Sequence, residues 1–176
     1  RLEVMVSVLP GPVVALPDWW QYRLFSRAGI DREDALVGLT RFPDGLAFAN
    51  NLVFMGYGFP GRVRAGETLE VWLAWWLRAA PPAGADYHFF VHLVDENGVL
   101  RSQHDGSGFP VLYWRAGDLV LSRFVVPLPA DLPAGHYSLW SGLYTYPDVV
   151  NVSFLDVAGN PAGDRVALGK VGIAGR

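Results

Sequence analysis

The chain has 176 residues, enough for one all-β domain with a core of its own. Hydrophobic residues make up 51% and charged residues only 18%, which excludes a disordered chain and points to two buried sheet faces. A net charge of −3 with scattered Lys and Arg excludes the basic stripe of a nucleic-acid binder, and the lack of cysteine excludes disulfides, thiolate metal sites and cysteine nucleophiles.

The elements read in chain order as short extended runs between glycine and proline breaks. Leu2 to Val8 and Trp20 to Ser26 are predicted strands, separated by Pro10-Gly11-Pro12 and Pro17. Ile30 to Ala35 is a short helical turn capped by Asp31. Leu46 to Tyr57 reads as one longer strand, and Arg64-Ala65-Gly66-Glu67 as a turn into a strong strand from Thr68 to Arg78. After the Pro81-Pro82-Ala83-Gly84 loop, Tyr87 to Asp95 and Val99 to His104 form a hairpin, with Asn97-Gly98 supplying positive φ angles. A long loop covers residues 105 to 117. Leu119 to Leu128, His136 to Tyr146 and Arg165 to Ile173 complete the strands.

Strands every ten to twenty residues or so, with almost no helical periodicity, define an all-β chain. The expected fold is a single two-sheet antiparallel β-sandwich over residues 1–176, jelly-roll or immunoglobulin-like, with at most short helical turns. No apolar run reaches the ~20 residues needed to span a bilayer, so this segment is not expected to insert into a membrane. The chain opens at Arg1 without an initiator methionine or a signal-peptide pattern, and reads as a fragment of something longer.

Alternation sorts the faces. Leu69, Val71, Leu73, Trp75 and Leu77 share the face expected in the core, and Trp72 and Trp76 share the other with Glu70 and Arg78. In the strand from His136, Tyr137, Leu139 and Leu143 alternate with Trp140 and Tyr144. If the two strands share a sheet, Trp72, Trp76, Trp140 and Tyr144 form one aromatic platform suited to the apolar faces of sugar rings. The competing role is packing beneath an N-terminal segment that carries Trp19, Trp20 and Tyr22, and packing is the default.

Other chemistry is thin. His88 and His92 lie four apart on one strand, ~13 Å along it, too far for one metal ion. A His92–His104–Asp105 polar cluster is conceivable across the hairpin, its expected task being to tie the long loop to the sheet. His136 is the fourth histidine. Glu70, Asp95, Glu96, Asp105 and Asp118 are the carboxylates a glycoside hydrolase would need in facing pairs, yet most fall in turns. Asp156, Asn160 and Asp164 could offer oxygens to calcium, although their spacing fits no calcium loop and a turn is the simpler reading. No catalytic residue, metal site or cofactor is expected.

From Leu52 onward an ordered series of short motifs stands out: Met55-Gly56-Tyr57, Val63-Arg64-Ala65-Gly66-Glu67-Thr68-Leu69, Asp86-Tyr87 with Phe90-Val91-His92-Leu93-Val94-Asp95, and Gln103-His104-Asp105-Gly106. Trp114-Arg115-Ala116-Gly117-Asp118, Leu132-Pro133-Ala134-Gly135-His136-Tyr137 and Gly142-Leu143-Tyr144 continue it. The series resembles the soluble C-terminal domain of Chloroflexus-type polytopic membrane proteins, which are similar to dolichyl-phosphate-mannose protein mannosyltransferases. Residues 50–176 carry the resemblance, and residues 1–49 match nothing in it. It implies a β-sandwich on the outer side of the cytoplasmic membrane, a non-catalytic accessory whose partner is a glycan or the membrane-embedded part of its own parent. A carbohydrate-binding module is the alternative, and a hydrolase using Asp105 or Glu70 a weaker third.

Overall fold

The computed structural model describes Tyr22–Phe25, as backbone, and residues 36–175. The expected strand from Leu2 to Val8, the turn at Ile30 to Ala35, and the cover from Trp19 and Trp20 lie outside the described residues. In chain order the strands are β1 (Tyr22–Phe25), β2 (Thr40–Ala47), β3 (Leu52–Gly58), β4 (Arg62–Arg64), β5 (Thr68–Leu77), β6 (Tyr87–Val94) and β7 (Leu100–Gly106). They continue as β8 (Leu119–Pro127), β9 (Gly135–Thr145), β10 (Val150–Asn151), β11 (Phe154–Leu155), β12 (Pro161–Gly163) and β13 (Val166–Ala174). One 3-10 turn, Val111–Tyr113, interrupts the long loop.

The architecture is the expected all-β sandwich. One sheet runs β1-β8-β5-β3-β2, the other β4-β13-β9-β6-β7 with β10 added beside β9, and β11 and β12 form a small separate ribbon. Among the described residues pairing is antiparallel except between β13 and β4, which run parallel from Gly172↔Arg62 to Ala174↔Arg64. Among the described residues no helix is long and apolar enough to cross a membrane.

Alternation in β5 produces the core. Leu69, Val71, Leu73, Trp75 and Leu77 are each at most 2% exposed. They face Phe89, Val91 and Leu93 of β6 and Tyr137, Leu139 and Leu143 of β9 in one apolar cluster. Full burial of each aliphatic side chain contributes roughly 1.5–3 kcal/mol. Trp75 joins the layers: its ring stacks on Phe54 at 4.6 Å within its own sheet and lies 5.0 Å from Phe89 of the opposite one. Hydrogen bonds close one flank, where His104 Nδ1 lies 2.8 Å from the Val125 carbonyl and the Ser102 hydroxyl donates to the Pro127 carbonyl.

Two local expectations change. The run from Leu46 to Tyr57 is two strands, because β2 ends at Ala47 and β3 begins at Leu52. Asn51 takes φ +67°, its N–H reaches the Phe48 carbonyl, and the Asn50 side chain accepts from Leu52 N–H at 3.3 Å. Asparagine tolerates this left-handed backbone and satisfies the turn locally. In the β6–β7 hairpin only Gly98 has positive φ, at +80°. The loop is therefore a one-turn reversal ended by a left-handed glycine, not a two-residue turn. Asp95 ties it down: its carboxylate accepts from Asn97 and Val99 N–H, both at 2.9 Å, and pairs with Arg101.

Candidate functional site

The sandwich assigns the four candidate aromatics to opposite outer surfaces. Trp72 and Trp76 sit on β5 in the first sheet, and Trp140 and Tyr144 sit on β9 in the second. The condition for one shared platform is therefore not met. Alternation assigns a side chain to a face of its strand but says nothing of which sheet the strand joins.

On the first sheet, Trp72 and Trp76 are half-buried against a second apolar cluster of Leu36, Val53, Met55, Ala74, Leu119 and Leu121. Leu39 packs there too, on a turn whose Leu36 carbonyl accepts from Leu39 N–H and from Arg41 Nε, both at 3.2 Å. Glu70 on the same face forms an ion pair with Arg123 of β8.

On the second sheet, register builds a different surface. His88 of β6 lies opposite Tyr144 of β9, Phe90 opposite Gly142, and His92 opposite Trp140. On the other side of β6, Phe90 faces Asp105 of β7 and His92 faces Gln103. A side chain at position 142 would meet the Phe90 ring, because a Cβ there would come within 2.6 Å of it. The glycine therefore lets Phe90 lie down across β9 and keeps the surface flat. Phe90 in turn sits 4.5 Å from the His92 ring.

The polar groups converge on Asp105. His92 Nε2 lies 3.6 Å from Asp105 Oδ1, and Gln103 Nε2 donates to Oδ2 at 3.0 Å. Burial lowers the pKa of His92 below the usual 6.5, the neighbouring Asp105 opposes that shift, and Arg165 adds to it. Burial raises the Tyr144 pKa, helped by the negative Asp105 and by Tyr146, so its hydroxyl stays a donor at neutral pH. Arg165 lies just before β13 with its guanidinium 5.0 Å over the Trp140 ring. At the other end the His88 ring stacks on Tyr146 at 4.2 Å, nearly parallel. The surface offers aromatic area, a carboxylate, an amide, an imidazole and a guanidinium within a few side chains, which suits recognition of a ligand rich in hydroxyls.

The His92–His104–Asp105 cluster is realised only in part. His92 and Asp105 meet, whereas His104 stands opposite Val91, points between the sheets and contacts Val125 and Phe124. His136 is exposed at the start of β9. The carboxylates are dispersed: Asp95 closes the hairpin, Asp118 accepts from Arg115 N–H at 3.0 Å, and Glu70 and Asp105 lie on opposite surfaces. Asp156 and Asn160 close one turn, where Asp156 Oδ1 accepts from Ala158 and Asn160 N–H at 2.9 and 2.8 Å. Asp164 instead accepts from the Asn151 amide at 2.8 Å.

Sequence reasoning did not single out Arg165, Tyr146, Gln103 or Phe90 as site residues. For Phe90 and Gln103 a signal existed, since two-residue alternation from His88 and Asp105 puts them on the same faces. Arg165 gave none until Ala167↔Trp140 pairing joined β13 to β9.

No family model matches the chain, and no curated protein matches it. Among solved structures it is similar to AvmM, described as catalysing macrocyclization in alchivemycin A biosynthesis. That alignment has 12% identity and a TM-score of 0.41, and covers 78% of this chain and 95% of the other. A likeness that distant carries no argument about function.

Proposed function

We propose that this chain is a non-catalytic binding domain that recognises a glycan on the outer face of its second sheet. The observation that carries the reading is the grouping around Tyr144, where His88 and Tyr146 supply rings and Asp105, Gln103 and His92 supply hydrogen-bonding groups. Sugar rings pair apolar C–H faces with hydroxyls, so they need flat aromatic area beside planar polar side chains. Arg165 is exposed on a long side chain and can leave the Trp140 ring at small cost. The motif series from Leu52 onward supports an accessory role on the outer side of the membrane. There the bound glycan would be held near the membrane-embedded part of the parent protein.

A glycan array followed by calorimetry tests this. Tyr144→Ala is expected to weaken binding tenfold or more, about 1.4 kcal/mol, and Trp72→Ala to leave it unchanged. Loss of binding in Trp72→Ala with Tyr144→Ala intact would move the site to the first sheet. An array on which the wild type retains no glycan would reject the reading.

A further inference from the structure

The aromatic surface does not end at Tyr144. Tyr146 follows two residues on, 49% exposed and stacked on His88. His88 also lines a surface groove of about 660 Å³ that lies beyond it, and Tyr146 N–H donates to the carbonyl of Asp86, another residue of the groove's lining, at 3.0 Å. The groove and the face thus share a side chain and a backbone hydrogen bond.

The groove is tied together by hydrogen bonds and is partly apolar. Its floor is Trp114, whose indole N–H donates to the Phe109 carbonyl at 2.8 Å and whose ring stacks on Tyr87. One rim is the Pro81-Pro82 segment, closed by a bond from Ala85 N–H to the Pro82 carbonyl at 3.0 Å. The other rim is the 3-10 turn after Pro110, which holds Leu112 out in solvent at 86% exposure. An apolar side chain displayed on a stiff turn contributes nothing to this domain's own core, and a preformed wall lowers the ordering cost for a ligand.

Length and charge narrow the ligand. Trp140 and Tyr144 are four residues apart on β9, ~13 Å along the strand, and the groove lies further on. A single sugar ring covers only one of these positions. Charged side chains along the way include Asp86, Asp105 and Asp164 beside the cation Arg165, an acidic excess that disfavours an anionic ligand. We infer that the face and the groove form one continuous track for a linear, neutral oligosaccharide, with its inner units on Tyr144 and His88 and its end in the groove. This rests on the glycan reading above and adds chain length, neutrality and the groove to it.

The test is calorimetric titration of the chain with cello-, xylo- and manno-oligosaccharides from monomer to hexamer, and with oligogalacturonides of matching length. At least one neutral series is expected to tighten about tenfold or more between dimer and pentamer. Leu112→Asp should lose that gain while keeping the dimer affinity, and an unchanged thermal midpoint would show that its fold is intact. Affinity independent of length, a length gain that survives Leu112→Asp, or a larger gain for oligogalacturonides would overturn the track and leave the glycan face standing. Binding of no series by the wild type would reject both.

Discussion

Replacing Gly142 by alanine tests whether the flat outer face depends on a missing side chain. A Cβ at this position would lie 2.6 and 2.8 Å from the Phe90 ring and 2.6 Å from the Asp164 carbonyl oxygen. The ring can turn away, but the carbonyl is backbone and must shift. Forcing one methyl group into such a place costs about 1–3 kcal/mol. Gly135 in the same strand is the control, because a Cβ there would meet only Tyr137, at an ordinary 3.9 Å. Gly135→Ala should be neutral, or stabilising by about 0.4–1 kcal/mol through the unfolded chain. Urea denaturation of the wild type and both variants, with m-values compared, gives the difference directly. The displaced Phe90 ring should also press on His92, so its imidazole proton resonances should shift in Gly142→Ala and stay put in Gly135→Ala. Equal stability of the two variants would refute the crowding argument and with it the account of why the face is flat.

Three further outcomes are expected. Leu73→Ala, at a fully buried position in β5, should cost about 2–5 kcal/mol in chemical denaturation, and a loss below 1 kcal/mol would show a looser core. His92 has a folded pKa below its ordinary 6.5, so the unfolded chain takes up the proton first as pH falls through that value. Its contribution to stability is therefore full above 6.5 and is lost on acidification, and His92→Gln should lose less stability than the wild type between about pH 7.5 and pH 5. Identical pH dependence in the two would contradict the burial of that ring. His104→Leu removes the contact with the Val125 carbonyl and should cost about 1 kcal/mol, with faster amide hydrogen exchange confined to β7; unaltered protection there would show that the flank closes by other means.

The core was legible in the sequence where alternation ran long. Ten residues from Thr68 to Leu77 state their inner face without ambiguity, and the same holds for Tyr137, Leu139 and Leu143. What the sequence hides is partnership. Whether β5 and β9 lie side by side depends on pairings between residues far apart in the chain, so the four-ring platform could not be tested locally. The break at Asn50-Asn51 was masked because apolar residues continue on both sides without a glycine or proline. The misplacement of His104 was avoidable. Adjacent residues on a strand point to opposite faces, so His104 and Asp105 could not both meet His92.

The parallel pairing of β13 with β4 bears on the order in which the domain can assemble. β13 lies between β4 and β9, and every other described strand comes earlier in the chain. Until Val166–Ala174 has been synthesised, β4 has no hydrogen-bonding neighbour in its sheet, and β9 exposes most of one edge. A sheet completed from its middle by its latest strand must close a long loop before those bonds form, which slows folding. It also leaves a half-built face able to capture another extended chain in the interval. A longer interval then gives more opportunity for aggregation during synthesis.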